Sequence, residues 1–296
     1  MTGIVWLASY PKSGNTWLRL ALRSLAEGGG PVDINADWER FGHAASRLLF
    51  DQELEIESSD LTGAEIDSAR RLLYQRLAAR PGPPLILKVH DARLPAAAGE
   101  RNLPVAAAGE RNLPAAAGEM LLPAAEAVIH VVRDPRDVAI SFAHHMNVGI
   151  DEAITVLAAE DFTFSARTDR LAPNMRQCLS SWSRHTESWL DTPDMPVCQV
   201  RYEDMQSDMA AVLTRVAPVA GIAAEAGHVA RAVRATCFAA LRSQEEREGF
   251  RERMSKREYF FRRGIAGGWR EILTPAQAER IVQDHGRVME RLGYPV

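Results

Sequence analysis

The chain has 296 residues, 46% of them hydrophobic and 25% charged, with a formal net charge of −4. That is long enough to bury a large core, ordinary for a globular protein, and not basic enough for a nucleic-acid footprint. No apolar run approaches the roughly eighteen residues of a membrane span, and the first predicted strand starts so early that no leader is expected before it.

The strand Gly3-Ile-Val-Trp-Leu-Ala8 is followed by Ser9-Tyr-Pro-Lys-Ser-Gly-Asn-Thr-Trp17 and then by an amphipathic run to Leu25. Strand, tight loop and helix in that order place unpaired backbone N–H groups where an anion is welcome. Lys12 adds a full charge, and Ser13, Asn15 and Thr16 add donors. The lysine precedes Gly14, so the loop is not the G-x-x-x-x-G-K-[ST] cradle of P-loop NTPases. The first helix should stop near Glu27-Gly-Gly-Gly30, residues 31–60 carry no clear period, and a helix should run from Asp60 to about Ala79.

Leu85-Ile-Leu-Lys-Val89 is a buried strand by its apolar run and flanking breakers. Residues 96–104 recur at 106–114, with a third, diverged copy from Ala115. The Pro and Gly of each copy argue against one helix, so 92–122 reads as a repeat-bearing loop insertion, either a lid or a neutral duplication. Ala127–Val132 is the next strand, and Arg133-Asp-Pro-Arg-Asp137 turns into a helix. Helical patterns follow near 151–160 and 174–190, a strand over Val197–Tyr202, and helices over 204–217, 224–235 and 274–292. Strands alternating with helices imply one α/β domain over the whole chain, a central parallel sheet flanked by helices, with ligands at the carboxyl ends of the strands.

Only Lys12, Lys88 and Lys256 are lysines among 35 basic residues, and two of them end predicted strands. A lysine kept in an arginine-rich chain suggests a site that needs a compact point charge. The three cysteines, Cys178, Cys198 and Cys237, have neither disulfide nor metal spacing, so a reducing cytoplasm is the expected setting.

The strand ends carry a set that resembles the cytosolic sulfotransferases, which use 3′-phosphoadenosine 5′-phosphosulfate. The family's 5′-phosphosulfate loop matches Tyr10 to Trp17, its Lys-x-His element Lys88 to His90, and its 3′-phosphate element Arg133 with Asp137 to Ser141. Tyr202-Glu-Asp204, Thr236-Cys-Phe238 and the segment from Phe260 to Trp269 match three further elements, all in the family's order. The resemblance implies a P-loop-like α/β fold and a sulfuryl transfer to a hydroxyl or amine of a small molecule. It implies His90 as general base, Lys12 on the leaving group and Lys88 assisting. Nucleotide contacts would come from Lys12, Ser13, Gly14, Asn15, Thr16 and Trp17, from Arg133 and Ser141, from Tyr202, Thr236 and Phe238, and from Phe261, Arg262, Arg263 and Gly264.

Residue chemistry agrees with this. A nucleotide with phosphates at both ends needs two anion sites, and arginine forks suit phosphate oxygens. Trp17 and Phe238 can sandwich a purine, although each alone reads as a core residue. An unperturbed histidine titrates near pH 6.5, about right for a base at neutral pH. No metal is needed for this charge balance. Trp38, Phe41, Phe142, Phe162 and Phe164 suggest a hydrophobic acceptor, and His144-His145 reads as structural or as lining its pocket.

The departures from the family are Asn15 for Thr, Arg263 for Lys and Gly268 for Asp. A partial match to the family's dimer segment runs from Arg270 to Glu279 with Pro275 in place of Val, which leaves a homodimer an open expectation. The competing readings are a P-loop nucleotide kinase or NTPase, against which the lysine position speaks, and a non-catalytic nucleotide-binding protein.

Overall fold

The computed structural model describes residues 3–36, 40–94, 122–166, 171–253 and 259–296. Trp38, Lys256 and the repeat over 96–120 lie outside the described residues.

β1 (Ile4–Ser9), β2 (Leu85–Val89), β3 (Ala127–Val132) and β6 (Val197–Arg201) form one parallel sheet in the order β2-β1-β3-β6. All six residues of β1 are buried, as a strand covered on both faces requires. Alternation sorts them. Val5 and Leu7 face a layer built from α1 (Asn15–Ala26), α8 (Met209–Val216) and α9 (Ala226–Ala235). Ile4, Trp6 and Ala8 face α3 (Gly63–Ala78) and α2 (Arg47–Leu54), where Trp6 meets Tyr74 edge-on at 5.1 Å. A third apolar cluster joins α4 (Pro135–Met146), α5 (Ile150–Ala158), α6 (Trp182–Leu190) and α11 (Pro275–Arg291) around Phe142, Trp182 and Ile281.

The expected central parallel sheet flanked by helices is what the chain forms, and the strand bounds agree to within a residue. Four regions differ. The unassigned stretch 31–60 holds α2 and lays residues 40–44 along the free edge of β2, with Ile86 N–H to Arg40 O at 2.7 Å and Lys88 N–H to Gly42 O at 2.9 Å. The helix expected over 174–190 begins only at Trp182, capped by Ser181. Before it, β5 (Gln177–Cys178) pairs antiparallel with β4 (Thr163–Phe164), and Cys178 N–H is drawn to the Asp91 carboxylate at 2.9 Å. The helix expected over 204–217 is two, α7 (Tyr202–Ser207) and α8, because Asp208 leaves helical geometry and caps Ala211 N–H. α10 (Phe238–Glu248) was not expected at all.

The chain leaves β1 toward β2 and returns across β1 to β3. The crevice of such a sheet opens where connections diverge, here at the carboxyl ends of β1 and β3. No helix among the described residues is long and apolar enough to cross a membrane.

Candidate active site

The loop after β1 turns tightly. Lys12 and Gly14 have φ of 70° and 99°. The left-handed conformation is costly for a lysine and is typical of functional turns. Gly14 is required by its neighbour, since a Cβ there would lie 2.6 Å from the Tyr202 ring. Asn15 opens α1, so the N–H groups of its first turn lack intrahelical partners. The Ser13 hydroxyl is fully buried without a hydrogen-bond partner in the structure.

A cleft of about 1630 Å³ runs over this loop. Lys12, Lys88, His90, Arg133, Ser141, Trp17, Tyr202, Phe238 and Arg262 to Gly264 all line it, so the strand ends do bring the expected residues together. Burial, reinforced by Lys88 and Arg133, pushes the Lys12 ammonium down to about 7. Burial also lowers the Lys88 ammonium, partly restored by Glu252, whose Oε2 accepts from Lys88 Nζ at 2.9 Å.

His90 follows β2 directly. Its Nδ1 donates to the Ser9 carbonyl at 2.8 Å, which fixes the tautomer and leaves Nε2 as the lone-pair nitrogen. Burial, then Lys88 and His43, hold its pKa well below the ordinary histidine value, so the ring is neutral. The next residue anchors it. Asp91 is fully buried against Arg70 at 2.8 Å, and its backbone carbonyl accepts from Trp189 Nε1 at 3.0 Å.

Arg133 bridges two parts of the crevice. One guanidinium nitrogen donates to Lys12 O at 3.3 Å and another to Ile265 O at 2.8 Å, while the group lies 4.1 Å over the Tyr202 ring. Its ion pair with Asp137 is long, at 3.9 Å. Asp137 instead accepts from Gly267 N–H at 2.6 Å and Trp269 N–H at 2.9 Å, pinning the C-terminal segment to the start of α4. The family's Asp at position 268 is missing here, yet a carboxylate from α4 holds this segment. Phe238 packs closely against Gly264, where a Cβ would come within 2.4 Å of the ring.

Four expected contacts take a different form. Thr236 is fully buried, its hydroxyl donates to Ala232 O at 2.8 Å and its carbonyl accepts from Trp17 Nε1 at 2.9 Å. It therefore positions the indole and does not itself line the cleft. The Asn15 amide is turned inward, donating to Leu7 O at 2.8 Å and Ser9 Oγ at 3.1 Å, so only its backbone N–H remains for an anion. Phe261 is buried beside Phe250 and Phe238. Arg263 is exposed and meets Glu271 at 3.3 Å.

Of the aromatic residues expected around an acceptor, Phe41, Phe162 and Phe164 line the cleft, while Phe142 stacks behind Phe164 at 5.6 Å. His145 also lines it, and burial with Lys12 and Lys88 pushes its pKa to about 3. Residues that the sequence reading passed over are Arg19, His43 and Glu252. His43 sits 6.2 Å from His90, ring to ring, and its Nδ1 accepts from Ala45 N–H at 3.0 Å. No group of three or more metal-ligating side chains forms among the described residues.

A sequence model of the sulfotransferase domain family matches residues 118–293, more than half of the chain. The chain belongs to the sulfotransferase family. Individual relatives match over nearly the whole chain. The flavonol 3-sulfotransferase of Flaveria bidentis is 23% identical over 294 residues, covering 94% of this chain and 78% of that one. Sulfotransferase 1A1 of Canis lupus familiaris is 24% identical over 295 residues, covering 97% and 83%. Among solved structures, mouse sulfotransferase SULT7A1 complexed with PAP superimposes with a TM-score of 0.55 at 20% identity, over 98% of this chain and 88% of that one. Retinol dehydratase in complex with androsterone and inactive cofactor PAP gives 0.58 at 17%, over 97% and 80%. These two share the fold. The expectation of a sulfotransferase is borne out by the family match.

Proposed function

We propose that this chain moves a sulfuryl group from 3′-phosphoadenosine 5′-phosphosulfate to a hydroxyl, or an amine, of a small and largely apolar acceptor. The observation that carries the reading is the convergence of Lys12, Lys88, His90 and Arg133 on one cleft at the ends of β1, β2 and β3. The residues fit the donor. The buried Ser13 hydroxyl is short of a partner, the first turn of α1 offers N–H groups, and the lysines and Arg133 supply positive charge. Trp17, held by Thr236, and Phe238, backed by Gly264, offer aromatic surfaces for a purine. Arg133 and Ser141 would take the 3′-phosphate, with Arg262 on the segment that Arg133 contacts.

His90 Nε2 takes the proton of the acceptor hydroxyl as its oxygen bonds to sulfur. The bond from sulfur to the bridging oxygen breaks in line, and 3′,5′-adenosine bisphosphate departs. Lys12 offsets charge on that oxygen, and Lys88 lies beside His90 to offset charge on the transferring group. Phe41, Phe162 and Phe164 give the acceptor side an apolar wall.

Calorimetric titration tests the donor assignment. The chain should bind 3′,5′-adenosine bisphosphate far more tightly than ATP with magnesium. The reverse preference would replace this reading by a P-loop kinase or NTPase.

A further inference from the structure

Glu252 comes from a part of the chain far from α1 and β2, yet its carboxylate sits in their anion cradle. Oε2 accepts from Lys88 Nζ at 2.9 Å and from the Thr16 hydroxyl at 3.3 Å, and Oε1 pairs with the Arg19 guanidinium. Arg19 is 2% exposed and lies on α1 three residues after Thr16, so both side chains share one helix face. A buried arginine so near a helix N-terminus works against the helix dipole, and the arrangement is stable only with an anion between them. Burial pushes the Glu252 carboxyl up, but Arg19 and Lys88 outweigh that and hold it well below the ordinary carboxylate range. Arg19 and Lys88, joined by Lys12 below about pH 7, outnumber the single negative charge of Glu252, so the balance still favours a further anion.

We infer that Arg19 is an additional donor-binding residue, and that the Glu252 carboxylate holds its place and must leave when the 5′ anionic group of the nucleotide enters. The inference rests on the donor reading above. Thr16 and Lys88 are the shared groups. The Thr16 hydroxyl has one proton and cannot donate to the Glu252 oxygen and a phosphate oxygen at once, and two anions crowded against the same donors repel each other, so the two anions exclude each other. Arg19 belongs to no element of the family resemblance. Its assignment comes from its burial, its turn of helix and the carboxylate that it shares with Thr16 and Lys88.

The test is calorimetric titration with two probes, 3′,5′-adenosine bisphosphate and adenosine 3′-monophosphate, on the full chain. Glu252→Gln should raise affinity for the bisphosphate by about tenfold or more, because removing the competing state frees the binding-competent one. Affinity for the monophosphate should not change. In the Glu252→Gln background, Arg19→Gln should then lose about tenfold to a hundredfold for the bisphosphate alone, the worth of a hydrogen bond to a charged group. Glu252→Ala, checked by thermal melting, repeats the first comparison should the Gln variant fold poorly. Unchanged or weaker bisphosphate binding in both Glu252 variants overturns the inference, as does an Arg19 effect equal for both probes. If the unaltered chain binds ATP with magnesium in preference to the bisphosphate, the donor reading fails. If it prefers the bisphosphate and the variants show no difference, only the present inference fails.

Discussion

His90 Nδ1 donates a hydrogen bond to the carbonyl oxygen of Ser9, 2.8 Å away, and so ties the end of β2 to the end of β1. The bond joins two functions. Ser9 begins the loop that carries Lys12, and His90 is the base that we propose. The backbone that leads into the Lys12 loop therefore also sets which nitrogen of His90 keeps its lone pair.

The two titrating groups set opposite limbs of the pH profile. His90 is held neutral well below its ordinary value, so it stays a competent base as pH falls through about 6.5. Lys12 in the free chain loses its proton as pH rises through about 7. The rate constant kcat/KM should therefore be flat on the acid side of neutrality and fall as pH rises through about 7, with the acid limb well under pH 6.5. A profile with its acid limb at the ordinary histidine value and no alkaline fall up to about pH 9 would contradict both assignments.

Arg133 should discriminate nucleotides by their 3′ end. Arg133→Ala is expected to weaken 3′,5′-adenosine bisphosphate by about tenfold to a hundredfold, the worth of a charge-assisted hydrogen bond. Adenosine 5′-monophosphate should lose much less. Equal losses would mean that Arg133 acts only as the brace between Lys12 and Ile265.

Gly264 has φ of 61°, and a Cβ there would push into the Phe238 ring. Gly264→Ala should displace that ring and weaken adenine nucleotides by about tenfold, the lower range of one base–aromatic stack. The loss should be alike with and without the 3′-phosphate. A variant with full nucleotide affinity would remove Phe238 from the purine site.

Arg70 and Asp91 form a fully buried ion pair directly after His90. Arg70→Met strands the carboxylate and should cost about 3–5 kcal/mol of stability in urea unfolding, and kcat should fall as well because Asp91 adjoins the base. An unchanged unfolding midpoint would show that the pair contributes no net stability.

The legible parts of the sequence were those that burial dictates. β1 and β3 are fully buried and mostly apolar, as a two-sided parallel sheet demands, so their bounds and the positions of Lys12 and Arg133 could be read directly. α10 could not, because its buried residues are only Leu241 and Glu245, and Glu245 serves by accepting the N–H groups of Phe260 and Phe261. Thr236 looked like a contact residue but spends its polar atoms on Ala232 and Trp17. Arg19 and Glu252 belong to no motif and nothing in their spacing singles them out. Only the packing of α1 against a distant segment shows them paired, with Arg19 buried and Glu252 partly covered. Spacing along the chain reports which residues share a strand end or helix face, but not which distant carboxylate turns inward to meet them.

The most direct measurement is transfer of label from 3′-phosphoadenosine 5′-[³⁵S]phosphosulfate to a panel of phenols, aliphatic alcohols and amines, by the unaltered chain and by His90→Asn. The account predicts labelled product from at least one apolar hydroxyl or amine acceptor, with kcat falling about 10²- to 10⁴-fold in the variant while bisphosphate affinity holds. Labelled product formed at equal rates by both proteins would contradict the assignment of His90 as the base.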